Sequence, residues 1–290
     1  MILICWNNIM LNIYPFSLQF TALGPEKIQA AVFTFIADSV PVEGINCLVT
    51  SRDAGNMAHI ESLPVINDKT GGELNSSRLR LFAALGINPA CVIYLNQIHS
   101  RTIAEADSRR LCRGAEADGI VTCDRSIFLS VTVADCLPVF LYDAKGGSFA
   151  LVHSGWKGTG IARNALQLLI KNHGARPENI AAVLGPCIRS CCYNVDEERA
   201  RAFEEEFGVG FGDDLDSGHP GSVPFTEPAA IHREGSHYLD LQAANIRLLA
   251  SAGVHDIAVC ENCTFTDLQL GSFRREGPSF TRMIAMLGDF

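Results

Sequence analysis

The sequence predicts an α/β fold: a single domain with a mixed β-sheet and helices packed on both faces. Apolar runs of strand length alternate with amphipathic stretches of helical period along most of the chain. Several strands also follow one another across short turns, as in residues 129–154, which favours a mixed sheet over a purely parallel one. The 290 residues show no internal repeat and no clear linker, and they suffice for one large core.

The first part of the chain is predicted to hold strands and one helix. Residues 1–44 are interpreted as an N-terminal extension or as the first strands, and residues 45–290 as the main domain. Strands are predicted at 30–36 and 45–50, where apolar residues alternate or run together. A helix is expected from Asn75 or Ser76 to Leu85, because a capping side chain precedes it and a glycine follows it.

The rest of the chain continues this alternation. In order, it is predicted to hold strands at 91–98 and 118–122, three strands within 129–154, a helix from 160 to 174, a strand at 180–184, a helix at 196–207, a long loop or lid at 208–236, a helix at 239–252 and a strand at 257–260.

Charge and cysteine usage exclude several classes of partner. The net charge of −9 argues against non-specific binding to nucleic acid or to anionic membranes. The first twenty residues are apolar, but they lack the basic segment of a signal peptide. Asparagines interrupt the apolar run, so it is also a poor candidate for a membrane span. Eleven cysteines, an odd number, do not form a disulfide pattern, so a reduced, cytoplasmic protein is expected. The oligomeric state is not predicted.

Three soft metal ligands stand where predicted strands end. His99 closes the strand at 91–98, Cys136 follows the first of the three central strands, and His153 ends the third. A thiolate with two imidazoles suits zinc, with copper as the other possible ion, and would leave a fourth position open for catalysis. Because the three residues are far apart in sequence, a buried cysteine and two hydrogen-bonded histidines remain the alternative interpretation.

Basic residues near these strands are candidates for binding an anion. Lys157 lies in a glycine-rich turn that precedes a helix, and backbone N–H groups at a helix N-terminus favour anions. The order of residues is not that of a Walker A loop, and a glycine turn that only starts the helix is equally compatible. Arg52, in a polar turn, and the pair Arg274 and Arg275 near the C-terminus are the other candidates.

Eight segments in order resemble the YfiH-like family, also called laccase-domain or multicopper polyphenol oxidase-like proteins. They include Asn96-Gln97-Ile98-His99-Ser100, Ala134-Asp135-Cys136-Leu137-Pro138, Val152-His153-Ser154-Gly155-Trp156-Lys157-Gly158 and Ser272-Phe273-Arg274-Arg275. The resemblance runs from about residue 45 to the C-terminus. It departs from the family at Arg52-Asp53-Ala54-Gly55-Asn56-Met57, where family members usually carry Arg-x-Gly-Gly-Val-Ser, and at Thr281-Arg282-Met283.

The resemblance implies a function as well as a fold. Family members have a zinc site whose ligands match His99, Cys136 and His153. They phosphorolyse adenosine, inosine, guanosine and methylthioadenosine, and they deaminate adenosine. The expected function is therefore a zinc-dependent purine nucleoside phosphorylase with adenosine deaminase activity, whose ligands are purine nucleosides and phosphate. A cysteine hydrolase that pairs Cys136 with a histidine, a copper-dependent polyphenol oxidase and a non-catalytic protein remain alternatives.

Overall fold

The computed structural model describes residues 1–6, 9–58, 76–207, 229–233 and 235–290. Its strands, in chain order, are β1 (Ile2–Trp6), β2 (Ile9–Phe16), β3 (Thr21–Leu23), β4 (Ile28–Phe33), β5 (Ile36–Ala37), β6 (Val40–Pro41), β7 (Asn46–Thr50), β8 (Val92–Ile93), β9 (Leu95–Asn96), β10 (Ile103–Glu105), β11 (Ala115–Glu116), β12 (Gly119–Thr122), β13 (Phe128–Val133), β14 (Leu137–Asp143), β15 (Phe149–Ser154), β16 (Ile180–Leu184), β17 (Asn194–Val195), β18 (Ala230–Arg233), β19 (Ser236–Leu239), β20 (Asp256–Cys260) and β21 (Met283–Gly288).

The described helices are fewer than the strands. They are α1 (Ser76–Leu85), α2 (Ile161–His173), α3 (Glu197–Phe207), α4 (Leu241–Ser251) and the single turn α5 (Phe273–Glu276), with 3₁₀ turns at Arg52–Ala54, Pro89–Cys91, Pro177–Asn179 and Gly277–Ser279. Among the described residues, no helix is both long enough and apolar enough to cross a membrane.

Two mixed sheets form the frame of the molecule. The larger has the order β1-β2-β20-β16-β14-β15-β12-β10, with parallel and antiparallel neighbours. The smaller has the order β3-β4-β7-β21-β13-β8 and is antiparallel except where β8 pairs with β13. Both sheets are longer than a single hairpin and bury apolar side chains, which is what makes them stable in water.

The sheets pack face to face and helices cover their outer faces. Val139 and Leu141 of β14 pack in the layer with α2 and α4, whereas Phe140 and Tyr142 of the same strand point into the core between the sheets. This division follows from the two-residue period of a strand. The outer face of the smaller sheet packs on α1 through Leu81.

The α/β class predicted from the sequence is confirmed, and the structure adds a second sheet. The sequence predicts one mixed sheet between helices, whereas the structure has a pair of sheets between helices. The last strand, β21, lies between β7 and β13 and is buried at every position. Sequence periodicity locates strands but does not say which strands pair, so it could not separate two sheets from one.

Two further segments differ from their predictions, and the N-terminal residues contribute strands to both sheets. The strand expected at 91–98 is broken into a 3₁₀ turn, β8 and β9. Part of the expected loop at 208–236 is the hairpin β18–β19, while residues 208–228 and 234 lie outside the described part. Within residues 1–44, β2 pairs with β20 and β4 pairs with β7, so both sheets include N-terminal strands.

Candidate metal centre

Strand register brings Cys136 and His153 together. The hairpin β14–β15 pairs Pro138 with His153 and Leu137 with Ser154. Cys136 comes immediately before β14 and therefore lies beside the end of β15. On the other side of β15, Gly119 pairs with Val152, so Asp118 at the start of β12 lies next to His153. The backbone N–H of His153 donates to the carbonyl of Asp118, with an N···O distance of 2.7 Å.

The side chain of Asp118 holds the loop that carries His99. Its carboxylate accepts the backbone N–H groups of Ile98, His99 and Ser100 at 3.3, 3.0 and 2.6 Å. These bonds wrap the loop around a carboxylate that has no exposed surface. His99 itself has φ +57°, an uncommon value for a residue other than glycine. This turn brings it to the strand ends where Cys136 and His153 lie.

The three expected ligands form one cluster. Their ligating atoms all lie within 4.8 Å of one another, and the imidazole rings of His99 and His153 are 5.0 Å apart between centroids, edge to face. His153 is buried, Cys136 is partly exposed and His99 is exposed. The cluster is thus fixed on its inner side and reachable from solvent on its outer side.

Asp118 also determines how His153 can act. Its Oδ1 atom lies 3.0 Å from Nδ1 of His153, which leaves Nε2 of that ring for the cluster. A carboxylate bonded to the second nitrogen of a histidine is the usual partner of a metal ligand, because it fixes the ring and its tautomer. Asp118 was not among the residues selected from the sequence.

Electrostatics favours a charged pair between Cys136 and His153. Burial alone would raise the pKa of Cys136, but the charge of His153 and hydrogen bonds from His153 and His99 lower it to about 6. Burial alone would lower the pKa of His153, but the Cys136 thiolate and Asp118 raise it to about 9. A thiolate is the form of cysteine that binds metals and acts as a nucleophile.

Comparison with known proteins gives the family. The model of the family described as multi-copper polyphenol oxidoreductase laccase matches residues 48–288. The chain belongs to this family. The matched residues include the whole cluster.

The names of relatives refer to a different activity from the one in the family's description. A protein of Deinococcus radiodurans named purine nucleoside phosphorylase is 34% identical over 214 residues, which are 73% of this chain and 76% of the relative. A protein of Mycobacterium bovis with the same name is 33% identical over 240 residues, 81% of this chain and 88% of the relative. The crystal structure of YlmD from Geobacillus stearothermophilus has the same fold, with a TM-score of 0.69 at 24% identity over 93% of this chain and 99% of that one.

The four expected anion-binding residues have unequal surroundings in this family member. Arg275 donates to the carbonyls of Thr264, Phe265 and Asp267 and to that of Leu270, so its guanidinium is engaged by the backbone. Arg52 is half-buried and lies 3.3 Å from a carboxylate oxygen of Glu276. Both side chains are therefore already partnered inside the fold.

Arg274 and Lys157 are more available. The guanidinium of Arg274 stacks over Tyr193 at 5.4 Å and gives one hydrogen bond to the carbonyl of Asn194. Lys157 is exposed and lies 5.5 Å from the ring of Trp156. Arg274 and Lys157 are thus both exposed and less engaged by the fold than Arg275 and Arg52.

A tyrosine links Arg274 to the cluster. Burial raises the pKa of Tyr193, the charge of Cys136 raises it further, and the charges of Arg199 and Arg274 oppose that rise. The pKa of Tyr193 thus responds to the charge of Cys136 as well as to those of Arg199 and Arg274. Arg199, whose guanidinium also stacks on Trp156 at 4.5 Å, was not selected from the sequence, where it appears only as one charge of an acidic helix.

Proposed function

We propose that this protein is a zinc-dependent purine nucleoside phosphorylase that also deaminates adenosine. The proposed nucleosides are adenosine, inosine, guanosine and methylthioadenosine, and the second substrate is phosphate. The observation that carries the proposal is the convergence of His99, Cys136 and His153 into one cluster, which is accessible to solvent on the side of His99. The names of the relatives support the choice of reaction.

The donor set fits a catalytic metal. One thiolate and two imidazoles satisfy three of the four positions that zinc prefers, and catalytic zinc sites leave the fourth open. His99 is exposed, so an ion held by these three residues would be reachable from solvent. The same ligands also suit copper, so the ion is to be identified by elemental analysis. When bound, the metal supplies a Lewis acid that can polarise a phosphate or water oxygen.

The protein groups around the cluster orient its ligands. Asp118 keeps Nδ1 of His153 engaged at 3.0 Å, so Nε2 faces Cys136. Gly155 leaves the space that the thiolate occupies, because a Cβ atom at this position would lie 2.8 Å from the sulfur of Cys136. The half-buried ring of Tyr193 packs under the guanidinium of Arg274 and so helps to orient it.

Phosphate is proposed to bind at Arg274, with Lys157 as the second cation. A dianion in a protein of net charge −9 requires local positive charge, and an arginine with free donors provides bidentate hydrogen bonds. Arg275 is proposed to position Arg274 rather than to bind phosphate, since backbone carbonyls engage its guanidinium.

The test follows inosine cleavage with and without phosphate. We expect hypoxanthine release to require phosphate and to yield ribose 1-phosphate, and we expect adenosine to be converted to inosine as well. Cys136→Ala should lose both activities and one equivalent of zinc. Free ribose, released at an undiminished rate without phosphate, would mean a nucleoside hydrolase instead.

The phosphate site has its own variant and control. Arg274→Ala should raise the KM for phosphate at least tenfold while the KM for inosine changes little. Arg176→Ala is the matched control, because Arg176 is an exposed arginine that pairs with Glu178 elsewhere on the surface. Equal effects of the two variants on the phosphate KM would remove Arg274 from the proposed site.

One observation favours a second candidate, a cysteine hydrolase. Cys136, His153 and Asp118 are arranged as nucleophile, base and orienting carboxylate, and the pKa of Cys136 is lowered to about 6. Elemental analysis separates the candidates. Loss of one zinc per chain in Cys136→Ala supports the phosphorylase. Metal-free protein that is active and is inactivated by alkylation supports the hydrolase. Bound copper together with phenol oxidation supports a polyphenol oxidoreductase, the activity for which the family is named.

A further inference from the structure

A second group of thiols lies apart from the three ligands described above. The sulfur atoms of Cys191, Cys192 and Cys263 are all within 4.8 Å of one another. Cys191 is 3.4 Å from Cys192 and 3.8 Å from Cys263. All three are free thiols.

The fold assembles this group from two distant segments. Cys191 and Cys192 are in the turn that follows β16, and Cys263 follows β20, which is parallel to β16. A β-bridge between Cys187 and Cys263 joins the two segments, and the N–H of Thr264 donates to the carbonyl of Cys187 at 3.0 Å. The thiols therefore meet through tertiary structure and not through a local sequence motif.

The spacing of the sulfur atoms matches that of metal-bound thiolates. Zinc–sulfur bonds are about 2.3 Å, so two sulfurs on one tetrahedral ion are about 3.8 Å apart. The Cys191–Cys263 distance equals this value and the Cys191–Cys192 distance is slightly shorter. A small adjustment of exposed Cys191 and half-buried Cys192 would suffice to bind an ion.

Cys263 already has the hydrogen bonds of a thiolate. The backbone N–H of Arg189 lies 3.5 Å from its sulfur, and the N–H groups of Phe265 and Thr266 also point to it. With the thiol of Cys191 donating as well, these groups lower the pKa of Cys263 against the effect of burial. Backbone donors directed at a cysteine sulfur stabilise it as an anion and orient it as a ligand.

The hydrogen bond to Cys263 and burial raise the pKa of Cys191, as expected for a thiol that donates to a thiolate. A bound cation reverses this relation, because metal binding deprotonates coordinating thiols. A pocket of about 400 Å³ opens beside the cluster, lined by Arg189, Asn262 and Asp267, and gives an ion and a water ligand access.

We propose that Cys191, Cys192 and Cys263 form a second metal site, which binds a soft cation such as Zn²⁺ through three thiolates. Three soft sulfur ligands select zinc and similar ions over magnesium or calcium. The ion would join the turn after β16 to the segment after β20. This site is separate from the proposed catalytic centre and does not depend on the proposed reaction.

The test uses the full chain, reduced, stripped of metal by a chelator and loaded with Zn²⁺ without oxygen. Iodoacetamide alkylation is followed at each cysteine by mass spectrometry. Zinc should slow the alkylation of Cys191, Cys192 and Cys263 at least tenfold and leave exposed Cys123 unchanged. Alkylation of the three cysteines at the same rate with and without zinc would overturn the proposal.

Variants count the bound ions. In a Cys136→Ala background, which removes the first site, one zinc per chain should remain, and adding Cys191→Ser should remove it. Cys123→Ser is the matched control and should keep it. Because Cys191 is exposed, its replacement by serine should leave the fold intact, which circular dichroism checks. Unchanged zinc content after Cys191→Ser would also overturn the proposal, whatever the activity of the enzyme.

Discussion

The substitution Asp118→Asn tests the support of the proposed catalytic centre. The carboxylate has no exposed surface and accepts the N–H groups of Ile98, His99 and Ser100, the hydroxyl of Ser100 at 2.9 Å and Nδ1 of His153. Asparagine keeps one acceptor oxygen and places an NH₂ group among these donors. The substitution therefore removes a buried charge and turns attractive contacts into repulsive ones.

The expected loss can be stated for two quantities. Breaking a buried charged pair costs about 3–5 kcal/mol of the free energy of unfolding. Loss of the carboxylate that orients a metal-bound histidine lowers metal affinity by about 10–100-fold. The first quantity is measured by urea denaturation of metal-free protein, and the second by competition with a chromophoric zinc chelator.

The matched control is Asp256→Asn. Asp256 is also buried and accepts three hydrogen bonds, from Asn12, Tyr14 and the N–H of Asp38. It begins β20, however, and so lies at the ends of the strands remote from Cys136 and His153. It should lower stability and leave zinc affinity unchanged. The reasoning about Asp118 is refuted if Asp118→Asn binds zinc as tightly as the wild type, or if both variants weaken zinc binding equally.

Three further changes have defined outcomes. Gly155→Ala should reduce zinc affinity at least tenfold in the chelator assay with little loss of stability, because its Cβ would lie 2.8 Å from the sulfur of Cys136; unchanged affinity would contradict this steric role. In metal-free protein the alkylation rate of Cys136 should rise with pH with a midpoint near 6, because the pKa of this thiol is lowered to about 6. A midpoint near 8.5, the ordinary value for a thiol, would exclude the charged pair with His153. Deleting residues 1–16 should lower the melting temperature markedly, because it exposes an edge of β20 and removes buried Leu11 and Ile13; an unchanged melting temperature would show these strands to be dispensable.

The pH behaviour of stability in metal-free protein follows from the same pair. The pKa of Cys136 is depressed in the folded state, so its contribution is lost as pH falls from about 9 to about 6. The pKa of His153 is raised, so its contribution is lost as pH rises from about 6.5 to about 9. The two effects have opposite slopes over the same range. Stability, measured by urea denaturation at several pH values, should therefore vary little between pH 6.5 and 9.

The sequence predicts where strands end, but it does not predict which strands pair with one another. Cys136 and His153 were selected because each follows a short apolar run, and a hairpin necessarily brings the ends of its two strands together. The role of Asp118 depends on β12 pairing with β15 on the far side of that hairpin. A single sequence does not show that β12 pairs with β15. Asp118, whose side chain accepts hydrogen bonds from five donors, was therefore interpreted only as the start of a strand.

The same limit explains the arginines and the second group of thiols. Neighbouring Arg274 and Arg275 look equivalent in the sequence, but α5 directs one to Tyr193 and the other to backbone carbonyls. Cys191 and Cys263 are separated by seventy-two positions and meet only through the parallel pairing of β16 with β20. Periodicity and spacing describe contacts along one element, whereas these contacts are between elements.

Asp135 connects the two clusters physically. Its carboxylate accepts the hydroxyl of Thr264 at 2.6 Å and the N–H of Arg274 at 2.7 Å, and its carbonyl accepts the N–H of Ile188 at 2.9 Å. Asp135 also has φ +83° and immediately precedes Cys136. The strained turn that presents Cys136 therefore rests on the segments that carry Cys263 and the proposed phosphate ligand. An ion bound by the three thiols would stiffen those segments. Its loss in Cys191→Ser should therefore raise the KM for phosphate, whose proposed ligand is Arg274, while the zinc affinity of the His99, Cys136 and His153 site stays unchanged.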